Sequence, residues 1–163
     1  MNHPPRGSLI TARMGVKLND GDISMPMFSE IAEGIWQAGC PQDKLPLPGR
    51  FRHVVNLAGV LGFRPDHVLA TSTVVDMTDS STQSMTLVDP LARLVVDLSA
   101  TGDDVLVHCQ AGLNRSGVIV ARALMHRGMT ADEAITAVRA GRHPKALYNT
   151  HFVAWLHENP IDR

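Results

Sequence analysis

Two features of this 163-residue chain predict an α/β domain with a mostly parallel central sheet flanked by helices. Short β-branched runs alternate with stretches of helical period. One of those runs, Val105-Leu106-Val107, leads through a glycine-bearing turn directly into the helical stretch Val118-Ile119-Val120-Ala121-Arg122-Ala123-Leu124-Met125. Such a strand-to-helix turn places a site at the C-terminal end of a central strand.

The elements follow in chain order. Residues 1–27 carry Pro4, Pro5, Gly7, Gly15, Gly21 and Pro26 with little periodicity, and read as an N-terminal extension lying against a domain of residues 28–163. Residues 31–39 hold a short strand, 41–49 a loop punctuated by Pro46 and Pro48, 52–57 a second strand and 73–77 a third. Between the last two, 59–69 reads as a loop with a weak helical turn. Asp89 and Pro90 look like an N-cap and first helical residue; Leu91, Leu94, Val95 and Leu98 supply the apolar stripe, and Gly102 follows its end. The central strand is 105–108. Three further helices are expected: 115–127 before Gly128, 130–140 with a Thr130/Glu133 capping box, and 148–158 before Pro160.

Composition narrows the function. Fifteen Lys and Arg against sixteen Asp and Glu leave a net charge of −1, which gives no electrostatic footprint for nucleic acid or an anionic membrane. No apolar run is long enough to span a bilayer, and the N-terminus lacks the apolar core of a secretory signal. Two cysteines do not make a disulfide framework, so a reducing, cytoplasmic setting is expected. With 4% aromatic residues, the core should be mostly aliphatic with Met as filler. The histidines never fall at helical ligand spacing, so no metal site and no cofactor are expected.

The turn His108-Cys109-Gln110-Ala111-Gly112-Leu113-Asn114-Arg115-Ser116-Gly117 carries the chemistry. Converging backbone amides of residues 110–115 and a helix N-terminus make a cradle for a phosphate dianion. Arg115 can grip two phosphate oxygens with its planar fork. Cys109 lies in the same positive field, which favours thiolate and so a nucleophile. Gly112 lets the loop bend back. Ser116 can donate to the cysteine sulfur or cap the following helix. A leaving oxygen also needs a proton, for which Asp79 and Asp76 are candidates; Asp79 is favoured because Asp76 falls within the third strand while Asp79 opens a polar stretch, Ser80-Ser81-Thr82. Asp103 and Asp104 read as turn residues. Arg139, Arg142, His143 and Lys145 form a modest basic patch, either a solvated face or an attractor of acidic substrates. Cys40 reads as a small buried residue, with a redox partnership to Cys109 as the alternative.

The turn resembles the Cys-x5-Arg-Ser/Thr signature of the protein tyrosine phosphatase superfamily, and in its His-Cys-x-x-Gly-x-x-Arg-Ser form most closely its dual-specificity branch. The weaker likeness covers residues 28–158, through the strands at 31–39 and 52–57 and through Asn149, Phe152 and Leu156. The resemblance implies hydrolysis of phosphotyrosine, with phosphoserine and phosphothreonine as further targets, in proteins or peptides. It implies Cys109 as nucleophile, Arg115 as phosphate clamp, Asp79 some 30 positions before the cysteine as acid and base, and His108 as a residue that tunes the cysteine. Position 114, often Ser in that branch, is Asn, as in RNA triphosphatases of the same superfamily. Three rivals follow: the same chemistry on a phosphoinositide, nucleotide or RNA end; a phosphate-binding module without turnover; and a rhodanese-type sulfur transferase.

Overall fold

A computed structural model describes residues 10–162. Its elements are β1 (Arg13–Leu18), β2 (Gly21–Pro26), β3 (Phe28–Ala32), β4 (Ile35–Gly39), β5 (Leu45–Leu47), β6 (Phe51–Asn56), β7 (Phe63–Pro65), β8 (Thr71–Val74), α1 (Val88–Ser99), β9 (Asp104–Cys109), α2 (Arg115–His126), α3 (Ala131–Gly141) and α4 (Thr150–Glu158). The central sheet runs β3-β4-β9-β6-β8. Its β4–β9, β9–β6 and β6–β8 ladders are parallel, and β3–β4 alone is antiparallel. The expected α/β domain with a mostly parallel sheet is therefore present. Strand β9 sits in the middle, where neighbours on both sides hold its C-terminal end and Cys109 with it.

Alternation along β9 sorts its side chains onto two faces. Val105, Val107 and Cys109 face the main core, to which all four helices contribute. Leu106 faces a smaller cluster with Phe28, Trp36, Phe51 and Phe63. Four of the aromatic residues are thus gathered on the face without helices, where Phe28 stacks on Phe51 at 5.6 Å and Trp36 meets it edge-on at 5.4 Å. The helix face is mostly aliphatic, with Phe152 as its one fully buried aromatic among the described residues, and holds Met14, Met25, Met77, Met85 and Met125. Helix α2 is buried on every side from Ser116 to Met125, because α1, α3 and α4 pack around it.

Several elements depart from the sequence reading, each for a physical reason. Residues 13–26, whose Gly and Pro suggested an extension, form the antiparallel hairpin β1–β2 and send Met14 and Met25 into the main core. Residues 1–9 of that segment lie outside the described residues. The two stretches read as loops, 41–49 and 59–69, contain β5 and β7, which pair in parallel as a ribbon. Pro46 and Pro65 are tolerated there because each strand of a two-stranded ribbon keeps an open edge. Strand β8 stops at Val74, so Asp76 is outside it, in an isolated bridge to Ala58. Asp103 and Asp104 face basic side chains: Asp104 pairs with Arg50 at 2.7 Å and Asp103 lies 3.4 Å from the His53 ring.

Asp89 is likewise no N-cap. Leu87 holds that position without a side-chain bond, and Asp89 sits in the first turn of α1. Its carboxylate accepts from Arg93 at 2.9 Å, Arg122 at 2.7 Å and His126 at 2.8 Å. Charge-assisted bonds to α2 outweigh a single capping bond. Desolvation opposes the charge, but the bonds from Arg122 and His126 win and hold the Asp89 carboxyl at about 2. The capping box on α3 is formed in both directions by Thr130 and Glu133. Replacing Asp89→Asn leaves the buried Arg122 guanidinium without its counter-charge, and should cost about 2 kcal/mol of folding stability. An unchanged denaturation midpoint would show that α1 and α2 are held by their apolar contacts alone.

Candidate active site

The chain leaves β9 at Cys109, turns back through Gly112 and enters α2 at Arg115. Cys109 is 1% exposed, and its sulfur lies 3.2 Å from both the Gly112 amide, which donates to it, and the Ser116 hydroxyl. The Gln37 amide donates to Ser116 Oγ at 3.1 Å, so the hydroxyl proton is free to point at the sulfur. The same Gln37 nitrogen donates to the Gly112 carbonyl at 3.0 Å, and Arg142 Nε donates to that oxygen at 3.0 Å. Gly112 is therefore held by both its amide and its carbonyl.

Arg142 is 4% exposed and sits behind the loop. Its other nitrogens donate to the Pro26 carbonyl, to Ser29 Oγ at 3.0 Å and to Met14 Sδ at 3.4 Å. Burial pulls its guanidinium down to about 10, which leaves it a cation at neutral pH, and the Cys109 charge opposes that fall. The loop is thus fastened to the hairpin β1–β2 and to β3 by one buried charge.

On the solvent side, Arg115 Nη1 donates to the Met77 carbonyl at 3.1 Å, and its Nε is buried with no hydrogen-bond partner among the described residues. Two residues beyond Met77, the Asp79 carboxylate accepts from Asn114 Nδ2 at 2.9 Å and Asn149 Nδ2 at 2.8 Å. Asn114 Oδ1 accepts the Asn149 amide at 2.9 Å, and Asn149 Oδ1 caps α4. Leu147, at φ 59°, donates its amide to the Leu113 carbonyl, while Arg139 holds the Ala146 and Leu147 carbonyls at 3.0 Å each. A buried, branched residue in the left-handed region is strained, and the surrounding bonds hold it there. Leu147 thereby carries Tyr148 to the rim and Asn149 onto Asp79. Partial burial first, and then the Asp79 charge, raise the Tyr148 phenol above its usual range.

The structure brings Cys109, Arg115, Ser116, Asn114 and Asp79 together. Gln110 is exposed at the mouth, Ala111 is half-buried, and Leu113 turns its side chain into the core. Asp76 has no bond to the loop; its carboxylate lies over Gly59. His108 is buried beside the loop, its Nδ1 3.4 Å from the Cys109 carbonyl and its ring edge-on to Phe63 at 5.0 Å. Burial pushes it down to about 4, so it is neutral in the folded protein. Cys40 donates its amide to the Cys109 carbonyl at 2.8 Å, but its thiol bonds the Gln42 carbonyl, and burial raises it to about 11. The expected basic patch does not exist as one: Arg142 is buried, Arg139 binds carbonyls and Lys145 pairs with Asp20 at 2.6 Å. Among the described residues, no group of three His, Cys, Asp or Glu side chains could hold a metal ion.

The model of the dual specificity phosphatase catalytic domain matches residues 49–160. The chain belongs to that family. No curated protein matches it. Among solved structures it is similar to the human tyrosine phosphatase-like serine/threonine/tyrosine-interacting protein at 24% identity, with a TM-score of 0.69 over 80% of this chain and 93% of that one. Human DUSP28 is similar at 18% identity and 0.69, over 82% and 92%. OH1 from the Orf virus, described as a tyrosine phosphatase with triple substrate specificity, is similar at 19% and 0.59, over 79% and 83%. These likenesses show the fold; the family match shows a dual specificity phosphatase domain, and with it a phosphorylated protein as substrate.

Sequence reasoning missed Gln37, Arg142 and the contacts of Asn149. Gln37 had a signal, as a lone amide in the apolar run Ile35-Trp36-Gln37-Ala38. A Cβ on Gly112 would lie 2.6 Å from Arg142 Nη2 and 2.7 Å from the Gly39 amide nitrogen, at a backbone φ of +73°. Gly112→Ala should therefore open the loop and weaken vanadate or phosphate binding by at least about tenfold, a cost of about 1.4 kcal/mol. Calorimetric titration with vanadate would check it, and wild-type affinity would show that the loop yields without loss.

Proposed function

We propose that this phosphatase hydrolyses phosphotyrosine, and phosphoserine and phosphothreonine as well, in proteins through a phosphocysteine on Cys109. The carrying observation is the Cys109 sulfur between the Gly112 amide and the Ser116 hydroxyl, at the N-terminal end of α2 and beside the unpartnered Nε of Arg115. In the first step the thiolate attacks phosphorus, the P–O bond breaks, and Asp79 gives its proton to the leaving oxygen. In the second, water attacks phosphorus, Asp79 takes its proton, and the P–S bond breaks with the sulfur charge held by Ser116. Throughout, Arg115 and the amides of residues 110–115 hold the non-bridging oxygens, where charge is greatest.

Asn114 and Asn149 act as positioning residues. Their bonds to both Asp79 oxygens hold the acid against the loop, which a cradle and nucleophile alone would not do. The side chains at 110, 111, 113 and 114 carry no cation to match a polyphosphorylated headgroup. That favours a protein over a phosphoinositide. Both cysteines are free, as a thiolate enzyme of the reducing cytoplasm requires. Among the described residues, no helix is long and apolar enough to cross a membrane.

The reading is tested with phosphopeptides, phosphoinositides and nucleotides, each with and without EDTA. Peptides should be turned over in both conditions. Cys109→Ser should bind vanadate yet lose turnover; residual hydrolysis by that variant would remove Cys109 as nucleophile. Asp79→Asn should lower kcat by about 10²–10⁴ on substrates with poor leaving groups, and far less on an activated aryl phosphate that departs without a proton. An equal loss on both would assign Asp79 a structural role only.

A further inference from the structure

Beside the catalytic loop lies a second cleft, of about 340 Å³, lined by Lys17, Leu18, Asn19 and Asp20 from the hairpin β1–β2 and by Lys145 and Tyr148 from the segment before α4. None of its residues belongs to the catalytic set. Tyr148 connects the two: its phenol feels the charges of Asp79, Cys109 and Arg115, yet its ring is 53% exposed and forms a wall of the second cleft. The hairpin cannot drift from this place. Met14 and Met25 anchor its stem in the core, Arg142 ties Pro26 and Met14 to the loop, and Lys145 binds Asp20 at the tip at 2.6 Å.

The charges inside the cleft do not cancel. Lys145 is matched by Asp20, while the ammonium of Lys17 has no ion pair or hydrogen bond among the described residues. Asp22, opposite Lys17 in the β1–β2 register, makes no ion pair with it. One positive charge is left over, beside an apolar surface from Leu18 and the Tyr148 ring. That combination suits a side chain with a methylene stem and a single negative charge.

We propose that this cleft is a substrate subsite that takes a carboxylate side chain, with glutamate the best fit, flanking the phosphorylated residue. The inference rests on the protein-phosphatase reading above and adds sequence preference to it. Its energy comes from one exposed charge, so the discrimination is modest, about fivefold in kcat/KM.

The experiment uses phosphotyrosine peptides in which one flanking residue, scanned through positions on both sides, is Glu, Gln or Lys. The quantity read is the ratio of kcat/KM for the Glu peptide to that for the Gln peptide within each protein, so any general loss of activity cancels. At one or more positions the intact protein should favour Glu about fivefold. Lys17→Ala should bring that ratio close to one, and Lys17→Glu should reverse it so that the Lys peptide becomes preferred. A Glu/Gln ratio near one at every position in the intact protein overturns the subsite. So does a preference that survives in Lys17→Glu. Failure to hydrolyse any phosphopeptide while a phosphoinositide or nucleotide is hydrolysed overturns both this and the protein-substrate reading, and so separates the two failures.

Discussion

The cradle around the Cys109 sulfur depends on how Gly112 is held. Its amide points at the Cys109 sulfur, and its carbonyl takes bonds from Gln37 and Arg142. The two peptide planes that meet at Gly112 are each pinned, one by its amide and the next by its carbonyl, so the amide stays aimed where negative charge must collect. A cradle that is already formed costs no reorganisation when the charge arrives. Each of the two donors also reaches elsewhere, Gln37 to Ser116 and Arg142 to the hairpin and β3. One carbonyl oxygen thus joins the nucleophile, its hydroxyl partner and the chain's first strands.

The acid side is held by a second, separate arrangement. Asn114 belongs to the loop, Asn149 caps α4, and Asp79 follows β8, yet their side chains meet in one cluster. The departure at position 114 from the more usual Ser gains meaning here. Its amide side chain does not bond within the loop but reaches outward, donating to Asp79 and accepting from the Asn149 backbone. Arg115 reinforces the same junction through the Met77 carbonyl. Nucleophile and acid are fixed by different residues, and damage to one need not disturb the other.

What the sequence revealed follows from how local each feature is. The loop was legible because its residues are contiguous and each has a chemical reason to be there. Helices α2 and α3 were legible from apolar period, capping box and terminal glycines. Asp79 was separated from Asp76 by the polar residues after it, although Asp76 proved to lie beyond β8 rather than within it. Partnerships across the fold were not legible. Asp89 looked like a cap because the pairing of α1 with α2, which brings Arg122 and His126 to it, is not written in the local pattern. Arg142 looked like surface charge for the same reason, since its acceptors lie from 30 to 128 residues away. The hairpin was hidden by Gly21 at its turn and Gly15 within its first strand, and β5 and β7 by prolines that their open edges tolerate.

The long reach of Arg142 also bears on how the chain is made. Its contacts with Pro26 and Met14 span 116 and 128 residues. Closing such distant contacts is slow relative to helix formation and cannot begin until both partners exist. On the ribosome, the cysteine loop emerges before Arg142 does, so for that interval it lacks the cation behind it. The active site is then assembled by one of the last long-range contacts to become available. A nascent chain that carries β9 and α2 but not yet the end of α3 would hold Cys109 in a loop whose Gly112 carbonyl still lacks the bond from Arg142.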